Sequence, residues 1–418
     1  MQNLSKYSFG IGDRFAQQGK AQLDAFLMAA KAGIEVTPVW NKSNREHQII
    51  HSDPADTRHE ADVAVRETDW KGSYFVDADH INLGNVDRFV DHADFFTIDV
   101  ADYIGKSSVA ESVNQFLRDN SKYQGDLKIP GIEKPFHVSP ELLKEIADKF
   151  LYATQEASKI YMHIASKKGE GNFITEVSMD EVDEAQNPVE LFFILSSLGK
   201  LGVPVQTIAP KFTGRFNKGV DYEGDVERFG KEFEQDLLVI DFAVKEFGLP
   251  ENLKLSVHSG SDKFSIYPVI ADLIRKHDKG IHIKTAGTTW LEEMIGLALS
   301  GPEALSLAKS IYAKAYERRE ELCAPYSTVI DIKESSLPLP SEVETWSGEH
   351  FADSLRHIPG HSLYNPSFRQ LIHVGYKIAA EYSNIYISLI NQNARIVGEQ
   401  VTENIYGRHF GRLFGVTG

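Results

Sequence analysis

The sequence contains a single cysteine, Cys323, among its 418 residues. One cysteine excludes an internal disulfide and any metal cluster held by several thiolates, and it fits a reducing compartment. The sequence also lacks an apolar run near the ~20 residues of a membrane-spanning helix, and its N-terminal segment lacks the apolar core of a signal peptide. These absences predict a cytoplasmic protein that does not enter a membrane.

Positive charge is also scarce, because 44 lysines and arginines stand against 60 acidic residues and give a net charge of -16. A surface of this charge repels nucleic acids and anionic membranes. We therefore expect neither of them as a partner. A small anionic substrate is still compatible with this net charge, since a few cations in a pocket outweigh the negative electrostatic potential of the rest of the surface. The sequence leaves open whether the protein forms a homo-oligomer.

Short apolar segments alternate with longer segments of helical periodicity along the first 300 residues. Such alternation predicts an α/β fold with a (β/α)8 TIM-like barrel. A doubly wound open sheet is the alternative, but no G-x-G-x-x-G motif follows the first apolar segment. The eight predicted strands are residues 7–14, 34–40, 73–79, 95–100, 172–178, 203–209, 253–259 and 281–287.

The alternation stops at about residue 300. Helical patterns dominate the remainder, interrupted by a connection rich in proline and serine at residues 335–350. We predict a catalytic barrel over residues 1–300 and a mainly helical C-terminal extension, packed on the barrel, over residues 301–418.

Three of the 15 histidines, His80, His258 and His282, lie at the ends of predicted strands. In a barrel of this class the catalytic groups lie where the strands end. A lone buried histidine is usually a core residue, whereas three on one rim are typical of a catalytic divalent cation with open coordination positions. We therefore predict that these three side chains are metal ligands.

Two carboxylates, Asp79 and Glu176, also close apolar strands. We predict that they transfer protons next to the metal. The alternative is that they form salt bridges with a cation of the rim, such as Lys211 or Lys284. Other acids near the same strand ends are Asp77, Asp180, Glu181 and Asp183.

Cations gather on the same predicted rim, in a chain that is otherwise acidic. This local charge predicts a binding site for a substrate carboxylate or phosphate. The cations are Arg14, Lys211, Arg215, Lys263 and Lys284.

Several long motifs, spread over nearly the whole chain, resemble the tagaturonate epimerase family. They include FVDADHIN, NFITEVSMDEVDEAQNPVELFFIL, LSVHSGSDKFSIYP, IHIKTAGTTWLEE and NPSFRQLIHVGYKIAAE. The resemblance implies a divalent-metal epimerase on a barrel scaffold that interconverts D-tagaturonate and D-fructuronate. Proteins similar to this family act on the neutral ketohexoses fructose and tagatose as 4-epimerases.

The resemblance also implies roles for individual residues. The family's adjacent acid and metal ligand fall on Asp79 and His80, its second acid/base on Glu176, and its other metal ligands on His258 and His282. The metal would be one Zn²⁺, Mn²⁺, Ni²⁺ or Co²⁺ ion. Lys211, Lys263 or Lys284 would hold the carboxylate of the keto-uronate.

The two epimers differ at a carbinol carbon whose C–H bond is not acidified by the ketone. Inversion then requires either retro-aldol cleavage and re-addition or direct deprotonation and reprotonation, and both routes use two carboxylates. Two other functions fit the same residues. One is a metal-dependent ketose 3-epimerase or aldolase, and the other is a sugar-acid binding protein without catalytic activity.

Overall fold

Eight short parallel strands form a closed barrel in the computed structural model, which describes residues 2–285, 287–358 and 360–416. Their order around the barrel is β1-β10-β9-β8-β7-β4-β3-β2. The predicted barrel is confirmed, and each predicted segment overlaps one of the eight strands, although two strands extend beyond the ends of the predicted segments 34–40 and 73–79. The eight strands are β1 (Tyr7–Ile11), β2 (Thr37–Ser43), β3 (Phe75–Ile81), β4 (Phe95–Asp99), β7 (Ile174–Ser178), β8 (Thr207–Ala209), β9 (Lys254–His258) and β10 (Ile281–Lys284). The hairpin of β5 (Gly125–Leu127) and β6 (Phe136–Val138) lies outside the barrel.

Helices surround the barrel and continue after its last strand. Those up to β10 are α1 (Gly19–Lys31), α2 (Asn44–Ile50), α3 (Pro54–Thr68), α4 (Ala110–Asn120), α5 (Pro140–Lys168), α6 (Pro188–Lys200), α7 (Val226–Phe247) and α8 (Tyr267–Lys276). Those after β10 are α9 (Thr288–Leu299), α10 (Pro302–Glu317), α11 (Arg319–Cys323), α12 (Pro340–Glu344), α13 (Gly348–Leu355), α14 (Pro366–Val374), α15 (Tyr376–Tyr382), α16 (Asn384–Gln392), α17 (Ala394–Glu403) and α18 (Gly411–Phe414). No helix in the described ranges has the length and apolarity needed to cross a membrane.

A capping box fixes the start of α6, directly after the loop that follows β7. The Asn187 side chain accepts hydrogen bonds from the backbone N–H groups of Val189 and Glu190, at 3.1 and 3.0 Å. The Glu190 carboxylate in turn accepts from the Asn187 N–H at 2.8 Å. This exchange satisfies N–H groups that have no partner within the helix, and it anchors the far end of the loop after β7.

The interior of the barrel changes from apolar to charged along the strand direction. One end is filled by the apolar side chains of Leu4, Val39, Phe75, Phe95 and Ile174. Because side chains of a strand alternate between its two faces, the residues that follow Phe75 on the inward face of β3 are Asp77 and Asp79. The apolar plug therefore leaves the charged residues at the carboxyl end of the barrel.

The helices after β10 enclose a second apolar core. The Trp290 indole, on α9, donates a hydrogen bond to the Ile372 carbonyl at 2.8 Å. The rings of Tyr312 and Phe368 are buried in the same cluster. Phe410, near the end of the chain, packs instead with Phe26 among the helices around the barrel. The predicted division at residue 300 stays a prediction.

Candidate active site

A cavity of about 380 Å³ opens at the carboxyl end of the barrel. It is lined by residues at or after the carboxyl ends of seven of the eight strands, together with Pro325, Tyr326, Thr328 and Val329 from the C-terminal helical region. Seven of the predicted site residues lie on its wall, namely Arg14, Asp79, His80, Lys211, Arg215, His258 and Lys284. Three others, Glu176, His282 and Lys263, are fully buried and do not line it.

A bulge in β3 aims the His80 ring into this cavity. The register between β3 and β4 shifts between Ala78 and Ile81, and His80 takes a left-handed backbone conformation with φ of 52°. This conformation costs a residue with a side chain roughly 1–2 kcal/mol. Without the bulge, adjacent residues of a strand would point to opposite faces, but here both Asp79 and His80 line the cavity.

His80, His258 and Asp180 form a cluster of metal-ligating side chains. One potential ligand atom from each lies within 4.8 Å of the others, and the two imidazole rings are 5.3 Å apart. Two imidazoles and one carboxylate are a donor set typical of Zn²⁺ and similar divalent cations. A second group, which shares His80, consists of His80, Asp99 and Glu181.

Carboxylates surround both imidazole rings. His258 Nδ1 lies 3.0 Å from Asp180 Oδ1, and its Nε2 lies 2.8 Å from Glu176 Oε1. Burial alone would lower the pKa of His258, but Asp180 and Glu176 raise it to about 9. Burial also opposes the charged form of His80, yet Asp79 and Asp99 hold its pKa well above its ordinary value. The surroundings of both rings therefore favour positive charge.

The structure does not bring His282 into this cluster. Its Nδ1 lies 2.9 Å from Ser8 Oγ, and its ring lies 5.3 Å from the Phe95 ring. Strand alternation does put His282 and Lys284 on the same inward face, but His282 is one layer deeper in the barrel. Burial lowers the pKa of His282 to about 3, and its Nε2 has no hydrogen-bond partner among the described residues. Its role as a metal ligand stays a prediction.

Lys284 joins the two predicted catalytic acids. Its Nζ lies 2.6 Å from Asp79, 2.7 Å from Asp77 and 3.3 Å from Glu176, and it donates a further hydrogen bond to Thr97 at 2.6 Å. Burial would raise the pKa of Asp79, but Lys284 outweighs it and holds that pKa at about 2. For Asp77 burial prevails and raises the pKa to about 7. Asp79 and Glu176 therefore form salt bridges with Lys284, which was the alternative to proton transfer predicted for them.

Lys263 contacts a loop instead of the cavity. Its Nζ donates hydrogen bonds to the carbonyls of Asn217 and Val220, at 3.0 and 2.7 Å, and to Ser261 Oγ at 3.1 Å. The three N–H donors of the ammonium are therefore all engaged inside the protein. This leaves Lys263 without a free donor for the substrate carboxylate that it was predicted to hold.

Residues from distant parts of the sequence complete the site. Asp180 was only one of several acids noted near the strand ends, yet it pairs with His258. The side chains of Lys218 and Tyr326 also line the cavity, and Tyr376 packs against Arg14. No local pattern marks Tyr326 or Tyr376, because they reach the barrel rim only through the fold of the C-terminal helices.

Comparison with known proteins identifies the family. A sequence profile of the tagaturonate epimerase family matches residues 1–407. The chain belongs to the tagaturonate epimerase family. It is therefore an enzyme, an isomerase that acts on keto-sugar acids, as the sequence motifs implied.

Individual relatives agree with this assignment. The tagaturonate/fructuronate epimerase of Thermotoga maritima is 28% identical over 98% of this chain and 81% of its own length. Among solved structures, the glycerol-complexed and native forms of fructuronate-tagaturonate epimerase from Cohnella laeviribosi superpose with TM-scores of 0.81 and 0.80. Each is 22% identical to this chain, and the matches cover 99% and 100% of it and 82% and 83% of the solved chains. At this identity the structures support the shared fold.

Proposed function

We propose that this family member interconverts D-tagaturonate and D-fructuronate with one divalent cation, Zn²⁺, Mn²⁺, Ni²⁺ or Co²⁺. Membership of the family and the activity named for its Thermotoga relative support the reaction. The observation that carries the metal-dependent part is the convergence of His80, His258 and Asp180 within 4.8 Å, beside the acids Asp79 and Glu176.

The residues present fit such a cation. His258 and His80 offer ring nitrogens next to carboxylates, which orient imidazole ligands in many metal sites. The buried Nε2 of His282, which has no hydrogen-bond partner in the described part of the chain, would become a further ligand atom after a shift of its ring or of the cluster. When bound, a divalent cation would polarise the ketone oxygen and stabilise negative charge on the adjacent oxygens of the substrate.

Asp79 and Glu176 carry the proton transfers in this proposal. Lys284 contacts both carboxylates and favours their ionised form, in which either can accept the proton of a substrate hydroxyl. Each direction of the reaction needs one carboxylate to accept a proton and another to return one. Two acids on different strands, β3 and β7, meet that requirement for both epimers.

The retro-aldol route uses these groups without an acidic C–H bond. One carboxylate takes the hydroxyl proton of the carbinol that is inverted. The bond between that carbon and the carbon next to the ketone then breaks, and its electron pair passes to the ketone end. The aldehyde fragment turns and re-forms the bond on its other face, and the proton returns to the new alkoxide. Direct deprotonation of the carbinol carbon is the alternative route.

Two substitutions test the proposal. His258→Ala should remove both bound metal and turnover, while Glu176→Gln should retain the metal and lose epimerisation. His277→Ala is the matched control, because His277 pairs with Glu234 outside the cavity. Elemental analysis and chromatography of D-fructuronate incubations provide the readouts. Full turnover by a metal-free His258→Ala protein would contradict the proposal.

The route can be tested separately in deuterated water. Retro-aldol cleavage at the assigned bond leaves the carbon-bound hydrogen of the inverted centre in place. Direct deprotonation of the carbinol carbon exchanges that hydrogen with solvent. Epimerisation at the carbon next to the ketone exchanges the hydrogen of that neighbouring carbon instead. We expect product without carbon-bound deuterium, and mass spectrometry of the product decides.

A further inference from the structure

One part of the cavity wall combines cations with aromatic rings. The Arg14 guanidinium lies over the Tyr376 ring, 3.7 Å from its centre, and the Lys218 ammonium lies 5.8 Å from the centre of the Tyr326 ring. The hydroxyls of Tyr326 and Tyr376 are 3.0 Å apart. Arg14, Lys218 and Tyr326 line the cavity, and Tyr376 packs on Arg14. We call these four residues the cation–aromatic wall. Its tyrosines come from the C-terminal helical region, and its cations come from the loops after β1 and β8.

The charge of Arg14 is poorly compensated within the protein. Its side chain is buried, and its Nε and Nη1 atoms have no hydrogen-bond partner among the described residues. The nearest carboxylate oxygen, Glu46 Oε1, is 3.6 Å from Nη2, while the other oxygen of Glu46 accepts from the Ser43 N–H at the start of α2. Buried guanidinium groups normally have full hydrogen bonding. An anion in the adjoining cavity would supply the missing compensation.

Lys218 is held in place through its backbone. Its N–H donates to the Val329 carbonyl at 2.7 Å. Lys263 binds the carbonyls on both sides, those of Asn217 and Val220, and the Arg369 Nε donates to the Gly219 carbonyl at 2.6 Å. Two buried cations thus fix the segment that presents Lys218 to the cavity. In the described part of the chain, no carboxylate lies within ion-pair distance of the Lys218 ammonium.

Three other cations of the site already have partners for their charged groups. Lys284 has three carboxylates around it, and Lys263 donates to three acceptors of its own loops. Arg215 is half exposed and lies 3.7 Å from Glu223 and 3.8 Å from Asp331. Lys276, which lies 2.6 Å from Glu234 outside the cavity, supplies a control for the cation–aromatic wall.

We propose that Arg14 and Lys218 form the carboxylate-binding subsite and determine the preference for a keto-uronate over a neutral ketohexose. This proposal rests on the proposed epimerase function and adds the recognition of its substrate. The guanidinium offers a planar fork that matches a carboxylate, and the ammonium adds a second charge. Stacking on Tyr376 keeps the plane of the Arg14 fork fixed.

The test compares Arg14→Gln and Lys218→Met with the control Lys276→Met. Binding of D-fructuronate and D-fructose is measured by calorimetry, together with kcat and KM for D-fructuronate and with metal content. Loss of a charge-assisted hydrogen bond should weaken D-fructuronate binding roughly 10- to 100-fold in the two wall variants. KM should rise more than kcat falls, while D-fructose binding and metal content stay unchanged. Arg14→Lys, which keeps the charge without the fork, should recover part of the affinity.

The outcomes separate this proposal from the proposed function. Binding of D-fructuronate that depends on Arg14 and Lys218, in a protein that shows no epimerisation, would support the subsite and overturn the reaction. Normal epimerisation with unchanged D-fructuronate binding in Arg14→Gln and Lys218→Met would overturn the subsite alone. An equal loss in Lys276→Met, or an equal loss of D-fructose binding, would also overturn it, because the effect would then not be specific to the wall or to the carboxylate.

Discussion

Replacing Lys284 with methionine should destabilise the fold by about 3–5 kcal/mol at pH 7, the usual cost of removing one partner of a buried ion pair. The ammonium of Lys284 is buried, with Asp77, Asp79 and Glu176 all within 3.3 Å. Without it, the three carboxylates would share the barrel interior with only two imidazoles beside them among the described residues, His258 at 2.8 Å from Glu176 and His80 at 3.7 Å from Asp79. Desolvation and mutual repulsion then disfavour their ionised forms.

The stability of Lys284→Met relative to wild type should fall as the pH rises. In Lys284→Met the carboxylates should have folded-state pKa values above those of the unfolded chain. Such groups stabilise the fold below the unfolded pKa, near 4, and this contribution is lost as the pH rises. The deficit of Lys284→Met relative to wild type should therefore grow between pH 5 and pH 7. Urea unfolding followed by circular dichroism, with a chelator present, measures it.

Lys254 provides a matched control inside the same barrel. It is also buried, but its ammonium donates to the carbonyls of Ser5 and Lys6 and has no carboxylate partner among the described residues. Lys254→Met should cost only about 1–3 kcal/mol, because the Ser5 carbonyl loses its donor while the Lys6 carbonyl still accepts from the Ile281 N–H at 3.0 Å. Burial lowers the pKa of Lys254 to about 7, so below that pH the ammonium keeps its proton in both the folded and the unfolded chain. The loss of stability in Lys254→Met relative to wild type should therefore not change between pH 5 and pH 6. Equal losses in the two variants, or a Lys284→Met deficit that does not grow with pH, would refute the reasoning.

Three further predictions concern strained or buried positions. Burial lowers the pKa of His47 to about 3, so only the unfolded chain binds a proton at this side chain as the pH falls below 6.5, and wild type loses stability. His47→Asn should recover about 2 kcal/mol of the stability that wild type loses between pH 7 and pH 5, as measured by urea unfolding at both pH values. Gly287→Ala places a Cβ atom 2.5 Å from His373 and 2.7 Å from Arg14, at a residue with φ of 95°. It should therefore lower the melting temperature and raise KM for D-fructuronate, and an unchanged KM would contradict the role of Arg14. At His80, where φ is 52°, asparagine tolerates the left-handed conformation better than valine, so His80→Val should be roughly 1–2 kcal/mol less stable than His80→Asn in urea unfolding with a chelator present.

The sequence predicted the barrel because its signals are local. β-branched and aromatic runs bounded by turns and capped helices specify each strand and helix, and the alternation specifies a parallel barrel. The alternation of side chains along β3 and β10 puts Asp79 and Lys284 on inward faces. The alternation carries no information on how deep each side chain lies along the barrel axis, because that depth depends on the tilt and stagger of the strands in the closed barrel. His282 was therefore grouped with His80 and His258, although its ring lies one layer below them.

The C-terminal helices belong to the site as much as the barrel loops do. Arg369, on α14, binds the Gly219 carbonyl and pairs with Asp262 at 2.8 Å, so it joins the loops after β8 and β9. Tyr376, on α15, supports the Arg14 guanidinium after β1. The change of sequence pattern near residue 300 therefore does not coincide with an edge of the active site. Since local periodicity carries no signal for contacts across such distances, a barrel cut at that boundary would keep its acids and imidazoles but lose the supports of its carboxylate subsite.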